Sequence, residues 1–197
     1  MAISRLTETT LQAGLPKFDT FWDGRSAVGS MEPISAITLS AAQSSVEFNN
    51  IPGTYSHLQV RYMSKSTYTT GTSDSLYANF NNDTSANYAY HFLRGNGTAA
   101  SSSGEANTTF LWLGNQGNTG TGMTSIFGIG VCDILDYANT SKNKTIRSLQ
   151  GYDSNGDGFC VLSSSHWRSL NAVSSIKFTF GNGNIAINSS FTLYGIK

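Results

Sequence analysis

Residues able to do chemistry are few in this chain, and the densest group runs Asp153-Ser154-Asn155-Gly156-Asp157-Gly158. Alternating oxygen-bearing side chains followed by glycine open a calcium loop, because the oxygens converge on one cation while the glycine permits the turn. The twelfth position of such a loop would be Ser164, which has no carboxylate to offer. The flanking segments read as strands, and Asp, Asn and Gly are what a hairpin turn itself requires, so the pattern reads as a turn and no metal is expected. His57, His91 and His166 stand in separate segments with no Cys or carboxylate at ligand spacing, which leaves no zinc set.

Nucleophilic and acid–base catalysis find no motif either. No Gly-x-Ser-x-Gly elbow occurs, and serine is so frequent that one near a histidine carries no information. Glycosidase chemistry needs two acids across a cleft; Glu47, Asp74, Asp83, Glu105, Asp133 and Asp136 are present, but none is set apart by its neighbours. The expectation is a protein without catalytic residues, cofactor or enzymatic activity. Aromatics remain as binding candidates. Tyr88, Tyr90 and Phe92 alternate on one side of a strand, and Trp112 and Trp167 lie in strands elsewhere. Such rings stack on sugars but fill cores far more often, so core placement is expected, with His91 and Leu93 left facing outward.

The elements that must position these residues are strands. Ile176, Phe178 and Phe180 alternate with Lys177 and Thr179, and Phe191 and Leu193 alternate with Thr192 and Tyr194. Between the two runs Gly181-Asn182-Gly183-Asn184 supplies turn chemistry, which reads as a terminal hairpin or meander. Ile37 and Leu39, then Val46 and Phe48, read as another hairpin, followed by strands at Leu58–Tyr62, Leu76–Phe80 and Tyr88–Phe92. The stretches 67–75 and 95–109, rich in Ser, Thr, Gly and Asn, read as loops. Ile126 to Ile134 is an almost continuous apolar run broken by Gly128 and Gly130. That pattern predicts a central strand buried on both faces, its glycines admitting a close backbone or a bulge. With segments at 145–152 and 159–162, about ten strands are expected, at the spacing of a sandwich or jelly roll.

Composition agrees with one folded domain. A chain of 197 residues suits a single sandwich, and its 39% hydrophobic content is enough for a core. Charged residues are 12%, about half the usual share, and twelve basic residues balance twelve acidic ones, so no broad positive field exists to recruit nucleic acid. No apolar run is long enough to cross a membrane as a helix, and residues 1–10 lack the apolar stretch of a signal peptide, which points to cytoplasmic synthesis. Cys132 and Cys160 both sit in apolar strand patterns and are read as buried small hydrophobes, not as a disulfide.

Residues 1–33 differ from the rest and are read as an irregular amino-terminal arm ahead of a β-sandwich domain spanning 34–197. Phe18, Phe21 and Trp22 are dense aromatics in a segment whose Pro, Asp and Gly content argues against a regular strand. Two placements follow: the segment wraps back over its own sandwich, or it docks on another chain with these three rings as anchors.

Three stretches carry a resemblance: Asn79-Phe80-Asn81-Asn82-Asp83-Thr84 with Tyr88-Ala89-Tyr90-His91, then residues 137–148 from Tyr137 to Ser148, and the terminal 191–197. Together they resemble small virion proteins of tailed bacteriophages, cyanophages in particular. The resemblance implies a jelly-roll-like antiparallel β-sandwich that assembles as a homotrimer, in a head-decoration (cement) protein or in a tail or fibre protein. A cement protein would sit on the capsid exterior and dock on the major capsid protein or another virion protein. A short tail-tip or fibre protein would bind a host surface glycan. A fibre needs a shaft of heptads or long repeats, which this chain lacks, so the cement reading is preferred.

Overall fold

The computed structural model describes residues 30–118, 120 and 125–197; Phe18, Phe21 and Trp22 lie outside them. Among the described residues the two-residue alternation becomes twelve strands, β1 (Met31–Thr38), β2 (Val46–Phe48), β3 (His57–Ser64), β4 (Ser73–Phe80), β5 (Tyr88–Gly95), β6 (Ala100–Thr108), β7 (Leu111–Gly117), β8 (Gly128–Leu135), β9 (Lys144–Asp153), β10 (Gly158–Trp167), β11 (Ile176–Phe180) and β12 (Ser190–Ile196). They form two antiparallel sheets, one of eight strands in the order β1-β12-β3-β8-β9-β10-β5-β6 and one of four in the order β2-β11-β4-β7. Setting aside the hairpins β5–β6 and β9–β10, β1-β12-β3-β8 faces β2-β11-β4-β7. This nested order is the double Greek key of a jelly roll. The two extra hairpins widen only the larger sheet, which therefore overhangs the smaller one.

This order corrects three sequence expectations. The runs at 176–180 and 191–194 are not a hairpin: β11 pairs with β2 and β4, whereas β12 pairs with β1 and β3. The same holds for β1 and β2, which lie in opposite sheets. Alternation reveals which face of a strand is buried but not which strand it pairs with, and in a jelly roll most chain neighbours cross between sheets. Residues 100–108, read as loop, form β6, which lies at the sheet edge bonded to β5 and is exposed along eight of its nine positions. Nothing apolar marks it because neither face is covered. β1 also begins at Met31, so residues 31–33, assigned to the arm, pair with β12.

The core lies between the sheets. Phe178 of β11 meets Phe48 of β2 edge-on at 6.2 Å and Phe191 of β12 at 5.0 Å, so one ring bridges both layers. Leu58, Val60, Ile134 and Leu193 from the large sheet and Leu76, Phe80 and Ile176 from the small one are all at most 1% exposed. Under β7 the filling changes to small polar residues. Ser148 Oγ donates to the Leu113 carbonyl at 2.9 Å and Ser163 Oγ to the Trp112 carbonyl at 3.3 Å, so serines on β9 and β10 let the β7 backbone approach closely.

Asp74, 2% exposed, organises the end of the sandwich. Its carboxylate accepts hydrogen bonds from Ser66 Oγ at 2.7 Å, from the Ser75 amide at 2.9 Å, from the Gly183 amide at 3.0 Å and from Asn182 Nδ2 at 3.0 Å. The charge is thus satisfied by donors from three segments, and it holds the crossing between β11 and β12 against the start of β4.

Candidate docking surface

The outer face of the large sheet is ordered in rows by its register. One row runs Gln59, Asp133, Arg147, Ser164 and His91 across β3, β8, β9, β10 and β5. It is a polar network: Gln59 Nε2 donates to Asp133 Oδ1 at 2.8 Å and Arg147 Nη2 to Asp133 Oδ2 at 2.7 Å. Two residues further along each strand the character changes. Val131, Leu149, Leu162 and Leu93 are direct cross-strand neighbours on four consecutive strands. The next row is Met63, Ile129, Gly151, Cys160 and Gly95.

Apart from Arg61, which pairs with Val131 on β3, these two rows carry no charge, and their large aliphatic side chains are open to solvent: Ile129 is 63% exposed, Leu93 56%, Leu149 51%, Leu162 46% and Met63 41%. A patch of contiguous aliphatic groups on a rigid sheet is the kind of surface that marks an interaction site. Beyond the rows a concavity of about 1030 Å³ opens, walled by the β9–β10 turn, by Asn96 and Gly97 of the β5–β6 turn, and by Phe127 and Phe159. Glycines at 151 and 95 deepen its floor. The lining is mostly aliphatic side chains, aromatic rings and glycines, together with Arg61, Asp153 and Asp157.

β8 is the central strand the apolar run predicts, between β3 and β9, but it is buried on one face only. Cys132 and Ile134 point into the core, whereas Ile129 and Leu135 stand exposed. A continuous apolar run therefore records a strand with a core on one side and an uncovered apolar surface on the other. Its glycines admit side chains, not a backbone: a Cβ on Gly130 would collide with the ring of Tyr62, and one on Gly128 with the amide of Gln116. Cys132 is buried, and burial, with the nearby Asp133 charge, pushes its thiol up to about 12. Cys160, expected inside, is exposed on the apolar floor because the period of two places it opposite to Val161.

The aromatic expectation divides at the edge of the smaller sheet. Tyr88 and Trp167 are core residues stacked at 6.3 Å, as the sequence suggests. Tyr90 and Phe92 are only half-buried, because β5 lies in the overhang that the smaller sheet does not cover. They stack instead on Trp112 of β7, at 5.6 and 4.5 Å, while Arg94 lies 5.5 Å over Phe92. These rings thus spend faces on one another and form a satellite core. His91 and Leu93 face outward as expected.

The Asp153–Gly158 segment is the β9–β10 turn. Asp153 Oδ1 accepts from the Asn155 amide at 2.7 Å and Asp157 Oδ1 from the Gly158 amide at 2.8 Å, with Asn155 at φ 64°. Among the described residues no three His, Cys, Asp or Glu side chains converge on a common point. No protein-family model matches the chain, and no curated protein matches it. Its surfaces are therefore the ground for a functional reading.

The rows were hidden in the sequence for a specific reason. Leu93, Leu149 and Leu162 each occupy the polar phase of their own strand, where a single apolar residue is unremarkable. Only the register lines them up.

Proposed function

We propose that this chain is a virion structural protein of the tailed-phage kind, a capsid decoration protein that docks on coat subunits as a homotrimer and so stabilises the head. The observation that carries the reading is the strand order. A double Greek key is an architecture of viral capsid and lectin domains, and it is the fold that the resemblance to phage virion proteins implies. The mostly aliphatic rows on the large sheet add support, since a role played through permanent apolar contacts needs such a surface. The self-stacked Tyr90, Phe92 and Trp112 leave little free ring surface for a sugar, so the cement role is preferred to glycan binding by a tail tip.

The experiment is a reconstruction of intact particles carrying the protein, together with light scattering on the purified chain. Density for trimers on the capsid exterior, and a three-subunit mass in solution, is the expected result. Density confined to the tail, or a monomer at micromolar concentration, overturns the reading.

A further inference from the structure

We propose that Asn155, in the β9–β10 turn, is a site of spontaneous covalent modification in which the Gly156 backbone nitrogen displaces its side-chain amide, whereas the fold shields the chain's two other Asn-Gly pairs, Asn96-Gly97 and Asn182-Gly183. The inference does not depend on the virion reading. The step consumes only water. The Gly156 nitrogen, having given its proton to solvent base, attacks Asn155 Cγ; a C–N bond forms, the Cγ–Nδ2 bond breaks and ammonia leaves, which closes a succinimide ring. Water then opens the ring at either carbonyl, giving aspartate or an isoaspartate whose chain runs through Cβ and Cγ. Glycine favours the attack because it has no Cβ to obstruct it, and asparagine is thermolabile through this route.

The three pairs share this chemistry and differ in what holds them. At 182–183 the Asp74 carboxylate accepts from the Gly183 amide at 3.0 Å and from Asn182 Nδ2 at 3.0 Å. One anion thus holds both the nucleophile and the leaving group, and it opposes loss of the amide proton. A Cβ at Gly183 would collide with Ser66 and with the Tyr68 backbone, so the pair has no room to turn. At 96–97 the Asn96 Oδ1 accepts from the Ala99 amide at 2.8 Å, the Thr98 hydroxyl at 3.0 Å and the Thr98 amide at 3.1 Å, which pins the side chain to residues 98 and 99. At 155–156 neither the Asn155 side-chain amide nor the Gly156 N–H has a hydrogen-bond partner among the described residues. Both residues are exposed, and a Cβ at Gly156 would meet nothing within 4 Å. The turn is fixed around them, by Asp153 Oδ1 on the Asn155 amide, but the reacting groups themselves are free.

Either product adds a carboxylate between Asp153 and Asp157, in the turn that walls the concavity. Isoaspartate also lengthens the chain between Ser154 and Asp157, whose backbone hydrogen bond of 2.7 Å closes the hairpin. The change runs one way, so negative charge at this rim of the large sheet accumulates with the age of the protein.

Peptide mass mapping of the full chain after incubation at mildly alkaline pH tests this, with the same chain in guanidinium chloride as reference. Denatured, the three pairs should convert at comparable rates. Folding should leave Asn155 within about threefold of that rate and slow Asn182 by about tenfold or more, with Asn96 in between. Protection of Asn155 equal to that of Asn182, or faster conversion at Asn96 or Asn182 than at Asn155 in the folded chain, would overturn the proposal. Asp74→Ala should raise the Asn182 rate toward the denatured one without changing that of Asn155; an unchanged Asn182 in a folded variant would overturn the shielding assigned to Asp74, and the ranking in the parent chain decides the proposal even where the variant does not fold. An Asn155→Gln chain should fail to accumulate the more acidic species that the parent forms on isoelectric focusing, and accumulation to the same extent would place the modification at another residue.

Discussion

The indole Nε1 of Trp167 donates a 2.7 Å hydrogen bond to Oδ2 of Asp83, tying the end of β10 to the turn that follows β4. The bond joins the widened sheet to the smaller one. Asn87 Nδ2 and the Ser85 amide donate to the same carboxylate, at 3.1 and 2.8 Å. Burial alone would raise the Asp83 carboxyl, but these donors outweigh it and bring the group down from 3.8 to about 2.

A carboxyl lowered in the folded state contributes stability that is present above its unfolded value and disappears as pH falls through the folded one. The Asp83 contribution is therefore in place above about pH 4 and is lost between about pH 4 and pH 2. Asp83→Asn should flatten that part of the acid profile and cost about 1 kcal/mol at pH 7, allowing for screening at a partly exposed site. Urea midpoints between pH 2 and pH 7 test it. Parallel acid profiles for the two proteins would show that Asp83 takes no part.

Phe178 and Phe180 are 1% and 7% exposed, and both face the core from β11. Truncation of either to alanine should destabilise by about 3–5 kcal/mol, measured by denaturant unfolding. A loss under about 1 kcal/mol at Phe178 would be incompatible with a ring packed between Phe48 and Phe191.

Replacing Asp74 with alanine removes the shared acceptor of the Ser66, Ser75, Asn182 and Gly183 donors, of which the Ser66 hydroxyl is buried. A cost of at least about 3 kcal/mol is expected, with Asp74→Asn in between. Amide exchange should quicken first at residues 181–184, ahead of global unfolding, and uniform exchange would contradict the local role.

How much of this could be read from residue order depended on whether the relevant signal was local. The strands at β3, β4, β9 and β11 stand out because each alternates, and the β9–β10 turn is written in Asp, Asn and Gly. Partner choice is not local: Ile176 to Phe180 and Phe191 to Tyr194 carry the same signal whether they form a hairpin or belong to opposite sheets. Strand β6 was invisible because Ser101, Ser102 and Ser103 cover nothing. The apolar rows needed Leu93, Leu149 and Leu162 to be brought side by side by three separate strands.

At Gly130 the space belongs to Tyr62, so Gly130→Ala should destabilise by about 1–3 kcal/mol through overpacking, although alanine suits a strand better than glycine. A neutral or stabilised variant by thermal unfolding would mean that the ring yields without cost.

Self-association of the purified chain, under the homotrimer proposal, should change little between low and moderate ionic strength, because charged residues are only 12% of the chain. Analytical ultracentrifugation across a salt series measures this, and dissociation on adding salt would count against uncharged contacts.

β12 lies between β1 and β3, yet among the strands it is the last to leave the ribosome. Until it emerges, β1 has nothing to pair with and β3 presents a raw edge, so the larger sheet stays split down its length. A nascent chain can close local hairpins such as β9–β10 but cannot join its opening strand to the rest, and loop closure over such a span is slow. Synthesis and folding are thereby kept in sequence: a ribosome that stalls before residue 190 releases a chain with exposed strands, which is work for chaperones and proteases.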